Sequence, residues 1–143
     1  MSKLTLAKAN QMINGALERA KEAGMQPLSV VVLDAGGYVT AFQRQDGSSN
    51  LRFAIASGKA YGALAVGKGS RWLNDQAKDR PHFLEGLSNV SGGKIVAVPG
   101  GVLIKNAENE ILGAVGITGD TSDNDELAAI AGIEAAGFTA VAN

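Results

Sequence analysis

The 143-residue chain has no cysteine, which excludes disulfides, thiol nucleophiles, iron–sulfur ligation and any cysteine-based zinc site. Histidine occurs once, as His82; one imidazole cannot make a histidine-rich metal site, so no metal centre is expected, and it gives little support to a Ser-His-Asp triad. Charge of one sign is also lacking: 13 Lys and Arg face 14 Asp and Glu, for a formal net charge of −1. Sequence-independent nucleic-acid binding needs a surplus of cations that is not there. No polybasic segment suits an anionic membrane, and no apolar run approaches the roughly 20 residues that span a bilayer. Met1 to Ala23 alternates polar and apolar residues without the apolar core of a secretory signal, so a cytoplasmic location is expected. Proline appears three times and aromatic residues make up 5%.

Glycine is abundant instead, with 19 residues, and 45% of the chain is hydrophobic. This length and composition suit one domain, residues 1–143, with a core of its own. Glycine without low-complexity repetition points to many tight turns, or to places where backbones or ligands come close.

Apolar residues at Leu6, Ala9, Ile13, Leu17 and Ala20 recur at helical spacing behind the cap Thr5, with Gly24 as the stop. Leu28 to Leu33 is β-branched and apolar on both faces, the pattern of a central strand covered on two sides. The turn Asp34-Ala35-Gly36-Gly37 leads back through Tyr38 to Arg44 as a hairpin partner. Residues 46–49 supply caps for a helix from about Asn50 to Val66, in which Gly58 and Gly62 leave a groove along one face. That groove serves either helix packing or ligand access. A short helix from Ser70 to Lys78 and a helical turn at Pro81 follow, then a polar loop over 88–94. Ile95 to Val98 reads as a strand or an extended segment. Val102 to Ile104 and Ile111 to Ile117 form a second hairpin, and a last helix capped by Ser122 or Asp123 runs towards Gly137. Two hairpins and a fifth strand build an antiparallel sheet rather than a βαβ-wound one. The expected class is α/β (α+β), a profilin-like or PAS-like five-stranded antiparallel sheet flanked by helices.

Four segments, taken together, resemble the GlcG/HbpS-like family, also called the haem-degrading domain. They are Val30 to Gly37 running on to Phe42-Gln43-Arg44-Gln45-Asp46-Gly47; Ile55-Ala56-Ser57-Gly58-Lys59-Ala60-Tyr61; Pro99 to Ile104 followed by Gly113 to Gly119; and Asp125-Glu126-Leu127-Ala128 with Gly132. The match runs in order along nearly the whole chain. The resemblance implies haem or a related tetrapyrrole as ligand and a homo-oligomer, a dimer or larger, up to an octamer. Two positions depart from the family pattern. Gly62 stands where Thr or Ser is frequent, which removes a hydroxyl that could meet a ligand, and Gln45 stands where Met is usual.

The charged residues within these blocks are Asp34, Arg44, Asp46 and Lys59. A cation beside a carboxylate could hold an anionic substrate, and Lys59, Asp34 and Arg44 are the catalytic set if the protein is an enzyme. Asp34 could equally organise its turn, and Asp46 could cap the following helix. Lys59 lies beside Gly58 and Gly62 and is expected to touch a ligand. Tyr61 is a further ligand-binding candidate, and Tyr38 an aromatic of the same kind. His82 is an axial haem ligand, a general base or a surface residue, and its place at a loop-like entry to a helix favours the surface. Gly100, Gly101 and Gly116, with Gly119, could offer backbone N–H groups to an anion. Three readings result: a small-molecule-binding protein with haem as the first ligand to test, an enzyme acting on a small organic acid or carbonyl compound by proton transfer or elimination, and an oligomeric accessory protein of a catabolic operon.

Overall fold

Alternation in two central strands sets the architecture. In the computed structural model, which describes residues 3–143, β1 (Ser29–Asp34) and β4 (Ile111–Thr118) pair antiparallel at the middle of the sheet. Val30 and Val32 of β1 point to one face, and Val31 and Leu33 to the other. All four are buried, so both faces must be covered, as the apolar run of β1 predicts. The sheet is completed by β2 (Val39–Arg44), β3 (Gly101–Lys105) and β5 (Thr139–Val141), in the order β2-β1-β4-β3-β5 with every pair antiparallel.

One face is covered by α1 (Leu6–Glu22) and α5 (Ser122–Ala135), whose Met12, Ile13, Ala16, Ala129 and Ile133 join Val30, Val32, Val115 and Ile117 in the larger core. Thr5 caps α1 as expected, its hydroxyl accepting from Lys8 N at 3.1 Å. The other face is covered by α2 (Arg52–Val66), which lays Ala56, Ala60 and Ala63 on Val31, Leu33, Leu103 and Ala114. Two strand glycines set how closely α2 approaches. A Cβ at Gly116 would strike the carbonyl oxygen of Ala56, and one at Gly101 the carbonyl of Lys59. Only alanines on the helix and glycines on the strands allow this spacing. Two further helices, α3 (Ser70–Asp79) and α4 (Pro81–Val90), follow α2 and pack on each other, with Trp72 and Phe83 edge to face at 6.4 Å.

The structure differs from the sequence expectation at several points. The fifth strand is not Ile95–Val98, which carries no ladder, but Thr139–Val141 on the outer edge of β3. Residues 94–96 are held instead on α2, where Val96 N donates to Gly58 O at 3.2 Å. The loop expected over 88–94 begins only after Val90, because Phe83, Leu84 and Leu87 half-bury one side of α4. Thr121, not Ser122 or Asp123, caps α5 by accepting from Asn124 N at 3.2 Å. No side chain caps α2: Ser48 is turned inward to bond Ser29 Oγ at 2.7 Å, and Asp46 is exposed. Among the described residues no helix is long and apolar enough to cross a membrane. The reading of the N-terminal segment as free of an apolar signal core includes Met1 and Ser2, which lie outside the described residues.

Candidate functional site

The residues expected to form a catalytic set do not meet. Lys59 projects from α2 into the sheet and is 2% exposed; its Nζ donates to Ile117 O at 2.9 Å and to Asp125 Oδ2 at 3.2 Å. Asp125, itself 1% exposed, also accepts from Asp120 N at 3.0 Å. Burial works against both charges, pulling Lys59 below the ordinary lysine range and pushing Asp125 above the ordinary carboxylate range, while the pair's mutual attraction opposes each shift. The arrangement ties α2, β4 and α5 together, with the ammonium facing protein acceptors.

Asp34 lies at the tip of the first hairpin. Its Oδ1 accepts from Gly36 N at 2.9 Å and Tyr38 N at 3.0 Å, so the carboxylate organises the turn. Arg44 lies at the other end of the same hairpin, paired with Ser29, and donates to Ser48 O at 2.9 Å. A strand rises about 3.3 Å per residue, so the hairpin keeps Asp34 and Arg44 roughly 17 Å apart. The hairpin therefore does not bring Asp34 and Arg44 together, and Lys59 is turned to Ile117 and Asp125 instead.

The glycine candidates are also placed differently from the expectation. Gly100, Gly101 and Gly116 are buried beneath α2 and α3, with Gly101 N donating to Ser70 Oγ at 2.7 Å and Gly100 O accepting from Ile117 N at 3.0 Å. An anion-binding loop of backbone N–H groups does not form at the surface there. The stripe at Gly58 and Gly62 is filled by the chain itself: Cβ atoms would meet Lys94 O at 2.8 Å and Leu73 Cδ1 at 2.9 Å. His82 is exposed on α4 and lines neither of the two concavities described below.

What the fold does build is a cavity of about 570 Å³ beside that stripe, on the next face of α2. Phe53, Ser57 and Tyr61, spaced four residues apart, present one helical face to it. Leu33, Gly37 and Val39 of the first hairpin form the facing wall, and Gly93, Lys94 and Val96 close one end. Gly37, at a φ of 86°, carries the turn across the Tyr61 ring, where a Cβ would lie 3.6 Å from Cδ2. Phe53 is fixed by an edge-to-face contact with Phe42, centroids 4.7 Å apart. Lys94 Nζ stands 5.4 Å from the centroid of Tyr61. Ser57 Oγ is buried and has no hydrogen-bond partner, the one such side-chain atom among the described residues.

Of the residues singled out from sequence, Tyr61 alone has its side chain in this wall. Phe53, Ser57 and Lys94 carried a weak signal at most. The four-residue spacing of Phe53, Ser57 and Tyr61 is visible in the sequence, but nothing local says which helix face opens on a cavity. Lys94 arrives from a loop distant in sequence, by way of the approach that Gly58 permits. The second concavity, about 1280 Å³, is wide and lies between the end of α1 and the end of β2, with the charged groups Glu18, Lys21, Glu22, Arg44 and Asp46 around it.

A family model described as haem degrading protein HbpS-like matches residues 4–134. The 15.0 kDa protein of the dhaT-dhaS intergenic region of Citrobacter freundii is 32% identical over 127 residues, covering 88% of this chain and 87% of the relative. Among crystal structures, that of a PduOC:heme complex superposes with a TM-score of 0.84 at 27% identity, covering 96% of this chain and 97% of that one. The Klebsiella pneumoniae protein ORFY gives 0.83 at 26% identity, covering 95% and 92%. HbpS gives 0.80 at 25% identity, covering 94% and 90%. The match extends from α1 to the last helix and takes in every segment that builds the cavity, so the chain belongs to the HbpS-like family.

Proposed function

We propose that this protein binds a small molecule in the cavity between the first hairpin, α2 and the 93–96 segment, and that haem or a related planar tetrapyrrole is the ligand. The observation that carries the reading is the cavity wall itself. A ligand site is expected to be concave, largely apolar, about 300–1,000 Å³ in volume and equipped with a few polar groups. This one is about 570 Å³, with Leu33, Val39 and Phe53 as apolar faces and Tyr61 and Lys94 as polar points. The likeness to a PduOC:heme complex supports the choice of ligand.

The residues present fit such a group. Leu33, Val39 and Phe53 would cover a macrocycle, and Lys94 would meet an acidic substituent. Tyr61 would supply an oxygen donor of a kind that haem iron accepts. Bound haem would bring a redox-active iron to the site; the chain's own residues hold the ring and exclude water from its apolar face.

The test is a hemin titration followed in the Soret region. A saturable shift is expected for the native protein. Ala54→Trp, which places an indole in the cavity mouth from an exposed helical position, should abolish it, and His82→Ala should leave it unchanged. No saturable shift in the native protein, or an unaltered one in Ala54→Trp, overturns the reading.

Self-association as a homo-oligomer is part of the same proposal. Its support is the free edge of β2 and the exposed apolar side chains Tyr38 (75%) and Leu51 (62%). Light scattering on the purified protein tests it, and a monomer at micromolar concentration contradicts it.

A further inference from the structure

The three walls of the cavity are held very unequally. The hairpin is tied by the β1–β2 ladder, and α2 by its own helical hydrogen bonds and its packing on the sheet. The third wall, with Gly93, Lys94 and Val96, opens a run to Val98 that forms neither helix nor ladder. Among the described residues two hydrogen bonds fix residues 94–98: Val96 N donates to Gly58 O at 3.2 Å, and Val98 O accepts from Ser70 Oγ at 2.7 Å. The seat on α2 is smooth. Ile95 lies against Gly62 and Val96 against Gly58, so the helix offers them backbone and no side chain to lock into, and both stay half-buried. The run starts from Gly92 and Gly93, at φ of 72° and 77°, with open space where a side chain would stand. Consecutive glycines free of neighbours are suited to absorbing a backbone rotation. Lys94 rides on the run, its Nζ 5.4 Å from the centroid of Tyr61. A segment with few hydrogen bonds and shallow apolar cover opens at a lower free energy than a ladder or a helix.

We propose that residues 94–97 are a strap that lifts from α2 about Gly92 and Gly93, with Val98 tethered to Ser70, and that the ligand enters and leaves the cavity beneath it. Lifting carries Lys94 off the Tyr61 ring and bares the Gly58–Gly62 face of α2; reseating closes that end of the cavity over a bound ligand. The inference rests on the binding reading above and adds how that site is reached.

Two measurements test it, the first without a ligand. In amide hydrogen exchange on the native protein, the bonded Val96 amide is expected to exchange at least about a hundredfold faster than those of Val30 to Val32 in β1. Protection of Val96 equal to theirs overturns the inference. The second ties the strap down. The chain has no cysteine, so Gly62→Cys with Ile95→Cys introduces a single pair. A Cβ at position 62 lies 3.9 Å from that of Ile95, within the roughly 3.5–4.5 Å that a disulfide spans. The closest other atom, Leu73 Cδ1 at 2.9 Å, is the end of a side chain that can turn. Zinc protoporphyrin binding is followed by stopped-flow fluorescence on the oxidised and the phosphine-reduced double variant. The reduced form is expected to associate within about threefold of the native rate, and the oxidised form at least about tenfold more slowly. Equal rates in the two forms overturn the inference while the binding reading stands. Gly58→Ala, whose methyl would meet Val96 Cγ2 at 2.5 Å, should unseat the strap and raise both Val96 exchange and the association rate. If the reduced double variant fails to bind where the native protein does, this variant decides, and a rate at or below the native one overturns the strap. If the native protein binds no ring, the binding reading and the entry route fall together.

Discussion

Lys59 and Asp125 show how far a single pair can be committed to the fold. Each is almost wholly out of water, and each would be an uncompensated charge without the other. Removing one partner of such a pair destabilises by about 3–5 kcal/mol, whereas replacing both by apolar groups is often close to neutral. Lys59→Met is therefore expected to lose stability in that range in urea unfolding, and Lys59→Met with Asp125→Leu to recover part of it. A loss below about 1 kcal/mol for the single variant would contradict the structural role. Asp120 makes the opposite kind of contribution from a half-buried position. Its carboxylate accepts from Gln26 N at 2.8 Å, Thr121 N at 2.8 Å and Asn124 Nδ2 at 2.7 Å, and these bonds hold it below the ordinary aspartate range. An acid whose folded pKa is lowered stabilises above its unfolded pKa, about 3.9, and loses that contribution as pH falls through the lower folded value. The stability difference between the native protein and Asp120→Ala should be full at pH 7 and close as pH drops below about 4. A difference independent of pH between 2 and 7 would contradict the assignment.

At the scale of elements, close packing of α2 on the sheet turns an ordinary propensity argument around. Valine is a better strand residue than glycine, yet Gly116→Val should destabilise, because its first side-chain carbon would meet the Ala56 carbonyl, a backbone atom that cannot rotate away. Overpacking of this kind costs about 1–3 kcal/mol, and a stability equal to the native protein in urea unfolding would show that α2 can lift off the sheet. The same scale shows what the sequence makes legible. The two-sided apolar run of β1, the Asp34–Gly37 turn and the helical spacing after Thr5 are local patterns, and the structure contains each of them. The terminal strand is a different case: Thr139–Val141 is three residues long and owes its conformation to the edge of β3. Ile95 to Val98 has the β-branched composition of a strand, but its backbone is held by α2 through Gly58, a contact between distant parts of the chain.

At the scale of the whole molecule, the candidate site is where legibility ends. Its walls come from the first hairpin, one face of α2 and the 93–96 segment, brought together by Gly37 at the turn and Gly58 on the helix. Family-like blocks in the sequence pointed to Lys59 and the strand glycines, and the fold uses those residues to bring α2 down onto the sheet. The site lies on the adjacent helix face, where Ser57 and Tyr61 are flanked by residues that read as ordinary packing. The wider concavity near Arg44 and Asp46 is ringed by charged groups, which suit an apolar ring less well. An NMR titration with zinc protoporphyrin, a diamagnetic analogue of haem, compares these places in one experiment. Backbone amide shifts are predicted to concentrate in residues 33–39, 51–61 and 93–96. Shifts centred instead on 17–27 and 44–46, or on α4 around His82, would contradict the placement of the ligand.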